Sequence, residues 1–84
     1  IMKTETDMHN FRWWYKGITP EELKVSFEGR IVARDANEAM STVEREMRAK
    51  WPGIRWMQGK EVETDSVKLG PTVQRLKTPV KRKA

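Results

Sequence analysis

The residues of this chain that can do chemistry are cations and aromatics. Lys and Arg number 17 and Trp four, against a single His and no Cys. Without thiols there is no cysteine nucleophile, no disulfide framework and no thiolate zinc site. His9 has no second His to complete a histidine metal site, and solvent exposure is its expected state. Glu21-Glu22 and Glu61–Glu63 are close carboxylate pairs. Both fall in segments predicted to be exposed, where nothing desolvates them or drives their pKa values apart. No phosphate-binding glycine loop, nucleophile elbow or metal-ligand spacing is present. The expectation is a chain that is not an enzyme and holds no cofactor.

What remains is anion recognition by cations around an indole, and the elements that position it follow from periodicity. Over residues 10–18, Phe11, Trp13 and Tyr15 alternate with Arg12, Trp14 and Lys16, which is the pattern of a strand. Over 23–33, Leu23, Val25, Phe27, Ile31 and Ala33 take odd positions, and Lys24, Ser26, Glu28, Arg30 and then Arg34 take even ones. Val32 breaks the pattern, and Gly29 leaves a gap that Trp13 of the neighbouring strand could fill. Thr19-Pro20-Glu21-Glu22 between them has a helix-start signature with no helical period after it, so it reads as one turn in a connection. Asp35 and Glu38 start a helix whose apolar stripe is Ala36, Met40, Val43 and Met47, and which Pro52 and Gly53 stop. Residues 54–63 read as a third strand, with Ile54 and Trp56 on one face and Arg55 and Met57 on the other.

These elements imply an α+β fold: a small three-stranded antiparallel sheet in the order strand-strand-helix-strand, with one helix packed on one face and a basic C-terminal tail. The first strand is central. The covered face takes Phe11, Trp13, Tyr15, Leu23, Val25, Phe27, Ile31, Ile54 and Trp56. The open face takes Arg12, Trp14, Lys16, Lys24, Ser26, Glu28, Arg30, Arg34, Arg55 and Met57. The implied organisation is a disordered leader over 1–8, a domain over 9–66 and a basic, largely disordered tail over 67–84. Charge follows the same division. Residues 1–63 hold equal numbers of cations and anions, and the net +5 comes from Lys68, Arg75, Lys77, Lys81, Arg82 and Lys83 against Asp65.

A basic sheet face with an aromatic at its middle can hold phosphates by its cations and stack an indole on a base. The expected function is that of a small nucleic-acid-binding accessory protein, with single strands favoured. Arg12, Trp14, Lys16, Arg30, Arg34 and Arg55 would form the sheet face, and Lys77, Lys81, Arg82 and Lys83 the tail contacts. The alternative is a regulator or inhibitor that covers the surface of an acidic protein partner without catalysis. A homodimer through packed sheets is also compatible. No apolar run approaches the ~20 residues of a membrane span. Met2 to Asn10 is too polar for a signal peptide, and the cytoplasm is the expected location.

Overall fold

The computed structural model describes residues 8–80. The alternating aromatic segment forms β1, His9–Ile18, and the chain returns as β2, Lys24–Ala33. The helix-start signature between them closes a hairpin. The Glu22 N–H donates to the Thr19 carbonyl (2.9 Å) and the Thr19 N–H donates to the Leu23 carbonyl (2.9 Å). Pro20 pre-sets the first corner of such a turn, and Glu22 takes the left-handed position at φ 69°. β1 and β2 then pair antiparallel in one unbroken register, from Ile18↔Lys24 to His9↔Ala33.

Helix α1, Ala36–Lys50, starts where its capping residues predict. Asp35 accepts the Glu38 N–H (2.8 Å), and the Glu38 carboxylate accepts the Arg34 N–H (2.6 Å). The buried stripe is Ala39, Val43 and Met47, with Met40 half-buried; Ala36, expected to lead the stripe, is exposed. Trp51 follows the helix as its C-cap. It is 42% exposed and leans on Phe27 with ring centroids 5.6 Å apart.

The sheet has five strands rather than the expected three. The segment 54–63 turns at Gly59 (φ 62°) and divides into β3, Arg55–Gln58, and β4, Glu61–Val62. β5, Thr72–Arg75, comes from the segment expected to be a largely disordered tail. The order is β2-β1-β3-β4, with β5 pairing the other half of β1. β3 is short and spans only Lys16 to Ile18, so the same edge of β1 is open from Phe11 to Trp14, and β5 occupies it. Beyond β5 the Leu76 N–H donates to the Asn10 carbonyl (2.8 Å), and the Asn10 amide donates to the carbonyls of Thr78 (3.0 Å) and Pro79 (3.2 Å). A boundary at residue 67 therefore cuts through the sheet. The expected leader, apart from Met8, and residues 81–84 of the tail lie outside the described residues.

α1 covers one face, as expected. Phe11, Tyr15, Ala33, Ile54 and Trp56 are buried there with Ala39, Val43 and Met47. Tyr15 and Trp56 stack at 4.0 Å between centroids, an arrangement worth ~0.5–1.5 kcal/mol beyond the area it buries. Leu23, assigned to this face, is 62% exposed because it belongs to the turn. Trp13 does lie across Gly29, where an added Cβ would come within 2.8 Å of its indole. Gly17 admits Ile54 in the same way.

A polar clamp holds the link between β4 and β5 to the helix. Arg48 donates to both carboxylate oxygens of Glu63 (2.8 and 3.2 Å), to Glu44 (3.1 Å) and to the Leu69 carbonyl (3.2 Å). The Tyr15 hydroxyl donates to the same carbonyl, and Glu63 accepts the Leu69 N–H (3.3 Å). Glu63, expected to be exposed, is only 6% exposed. Burial pushes its carboxyl up, but the hydrogen bonds from Arg48 and Leu69 outweigh that and hold it below its ordinary value. Burial also pushes the Tyr15 hydroxyl well above its ordinary value, despite the nearby Arg48 charge.

Candidate nucleic-acid interface

The face of the sheet opposite α1 carries the even residues of β1 and β2, and cross-strand register arranges them in rows. Arg30, Arg12 and Gln74 form one row. Glu28, Trp14 and Thr72 form the next, then Ser26, Lys16 and Met57, then Lys24, Ile18 and Arg55. Trp14 is half-buried at the centre, and Arg12, Lys16, Lys24, Arg30 and Arg55 around it are exposed. Glu28 is the acid within these rows. Arg12 and Arg30 stand directly opposite each other, a placement that is unfavourable for like charges by itself.

Neighbours modify this face. The Arg12 guanidinium lies 4.6 Å from the centroid of the Trp14 ring and 3.6 Å from Glu28. It thus forms one layer of a cation–indole stack, worth ~0.5–1 kcal/mol at an exposed site. Arg55 reaches Glu22 in the hairpin turn at 3.4 Å. Lys16, Lys24 and Arg30 have no carboxylate partner among the described residues. A shallow cleft of about 210 Å³ opens beside Trp14, lined by Lys16, Met57, Gln58, Gly59 and Thr72. It is smaller than the roughly 300–1,000 Å³ of most small-molecule sites.

The predicted set divides accordingly. Arg12, Trp14, Lys16, Arg30 and Arg55 come together on one face. Arg34 does not join them: it lies beyond the end of β2, and its guanidinium pairs with Glu38 at 3.6 Å, because its backbone is tied to the start of α1. Lys77 is exposed just past β5, at the Asn10 end of the sheet. Lys81, Arg82 and Lys83 lie outside the described residues. Thr72 and Gln74, which flank Trp14 and Arg12, were not anticipated. Their one trace in the sequence is the alternation Thr72-Val73-Gln74, too short to stand out after Gly70-Pro71.

The described residues contain no group of three or more His, Cys, Asp or Glu placed to hold a metal ion. No helix among them is long and apolar enough to cross a membrane. No protein-family model, curated protein or solved structure matches the chain.

Proposed function

We propose that the chain binds single-stranded nucleic acid on the helix-free face of its sheet, without catalysis. The observation that carries this reading is the concentration of cations on one surface. Arg12, Lys16, Lys24, Arg30 and Arg55 share it with Glu28, and Arg12 and Arg30 are direct cross-strand neighbours. Phosphates would relieve that repulsion and release their own counterions. A single strand suits the face better than a duplex, because an unstacked base can lie on an indole or on a guanidinium plane. The Arg12–Trp14 stack offers both surfaces.

The test is fluorescence anisotropy of labelled single- and double-stranded oligonucleotides titrated with the full chain and with a 1–80 chain. The single strand should bind more tightly. With four or five cations engaged, at about −0.7 each, log K should fall against log salt with a slope near −3. The 1–80 chain should lose affinity for all sequences alike. Trp14→Ala should cost ~1–3 kcal/mol on single strands and little on duplex. No anisotropy change at low salt would end this reading.

A different feature favours a second reading, a regulator that binds another protein. Pro20, Val25, Phe27, Trp51 and Ile54 line an apolar groove of about 410 Å³ on the helix side, with Trp51 exposed. Exposed aromatics of this kind serve as interface anchors. Trp51→Ala would abolish binding to such a partner and leave oligonucleotide binding intact.

A further inference from the structure

We infer that two copies of the chain join along β2, antiparallel, about a two-fold axis at Gly29. β2 stands at the end of the strand order, and among the described residues nothing pairs with its outer edge. The edge has ten residues, no Pro and no bulge, and so lacks two usual protections against further pairing.

The hydrogen-bond pattern fixes which groups face outward. Thr19 and Leu23 share a backbone bond across the hairpin. In an antiparallel ladder, bonded and non-bonded pairs alternate, so the odd residues of β2 bond to β1. The even residues, Ser26, Glu28, Arg30 and Val32 among them, turn their N–H and C=O groups outward. The Leu76 bond to the Asn10 carbonyl shows the same alternation on the opposite edge of β1.

Charge then selects the register. An axis one residue to either side of Gly29 pairs Glu28 with Glu28 or Arg30 with Arg30, and an axis at Phe27 pairs Lys24 with Arg30. With the axis at Gly29, Glu28 of each copy bonds opposite Arg30 of the other, and Ser26 opposite Val32; Lys24 comes opposite Arg34, which lies beyond the end of β2 and is paired with Glu38. Opposite charges at such positions stabilise a pair of strands, and like charges destabilise it. On the helix side the same register sets Phe27 against Ile31, twice, and both are only half-buried in the single chain. α1 leaves room there: a cleft of about 330 Å³, lined by Trp13, Phe27, Glu28, Met47 and Trp51, opens beside this stretch of β2. Gly29 presents no side chain at the axis, and Trp13 already lies over its backbone.

Even residues meet even residues in this arrangement, so the two open faces lie on the same side of one continuous sheet. Each Glu28 is then matched by an arginine of the other copy. The dimer does not depend on nucleic-acid binding and is measured without oligonucleotide.

Sedimentation equilibrium of the full chain, from micromolar to millimolar concentration, should show a monomer–dimer equilibrium. Arg30→Glu and Glu28→Arg alter exposed side chains, and each should be monomeric over that range. Mixed in equal amounts the two should form a heterodimer, and the double exchange Glu28→Arg with Arg30→Glu should restore the homodimer. Circular dichroism of each variant should match the wild type. A wild type that stays monomeric overturns the inference. So does an Arg30→Glu chain that dimerises like the wild type, or a mixture of the single variants that stays monomeric.

Discussion

Arg48→Met should be one of the most damaging single changes in the chain, and its cost should depend on pH in a definite direction. Arg48 is the counterion of Glu63, whose side chain is 6% exposed, and it is bound through both carboxylate oxygens. Removing it leaves a buried carboxylate with the Leu69 N–H and too little else to replace water. Breaking a buried pair in this way costs ~3–5 kcal/mol. At roughly 0.05–0.15 kcal/mol per residue the whole chain has only about 4–13 kcal/mol of stability. Glu63→Gln should cost less, ~1.5–3 kcal/mol, because Arg48 keeps Glu44 and the Leu69 carbonyl as partners. Arg48→Met combined with Glu63→Leu should be more stable than Arg48→Met alone, since no charge is then left buried. In the wild type the depressed Glu63 carboxyl stabilises the fold fully above its ordinary value of 4.5, and that contribution is lost as pH falls below it. Without Arg48, burial dominates and the carboxyl is raised, so the variant's deficit should be greatest near neutral pH and shrink at about pH 4. Urea unfolding followed by tryptophan fluorescence at both pH values measures this. An equal deficit at the two pH values, or a Glu63→Gln chain as unstable as Arg48→Met, would refute the clamp as described.

Three further expectations concern the elements that shape the sheet. Gly17→Ala would bring a Cβ within 2.4 Å of the Ile54 side chain and 3.1 Å of the Arg55 carbonyl, and thermal unfolding should show a loss of ~1–3 kcal/mol. Glu22→Gly should raise the unfolding midpoint by relieving a left-handed residue that costs ~1–2 kcal/mol, less part of that for the added freedom of the unfolded chain. A chain ending at residue 66 loses β5 together with the buried Leu69 and Pro71, and its circular dichroism should show an unfolded or molten state, whereas a chain ending at residue 80 should keep the fold.

What the sequence made legible is what strict periodicity encodes. The alternation from Phe11 to Lys16 and from Leu23 to Ile31 assigned the two faces, and Arg12, Trp14, Lys16 and Arg30 came out together because period two leaves them no other side. The Asp35 cap and the Pro52 stop were local chemistry and gave the helix its ends. Two other features depended on long-range contacts, and a third on a local contact that alternation does not encode. Thr72–Arg75 carries little pattern of its own and is a strand because half of one edge of β1 is left open by the short β3. Glu63 was expected to be exposed, and it is buried because Arg48 meets it across the link. Arg34 kept the alternation of β2 but fell beyond its end, where the helix start claimed both its backbone and its guanidinium.

The central claim is that ligand meets the bare side of the sheet. Its most direct measurement is a map of backbone amide and arginine Nε–H resonances in the isotope-labelled chain as an unlabelled single-stranded oligonucleotide is added. The largest shifts should fall on Arg12, Trp14, Lys16 and Arg30, and α1 should be silent. Shifts centred on α1 or on Trp51, with the Arg12 to Lys16 signals unmoved, would contradict the account.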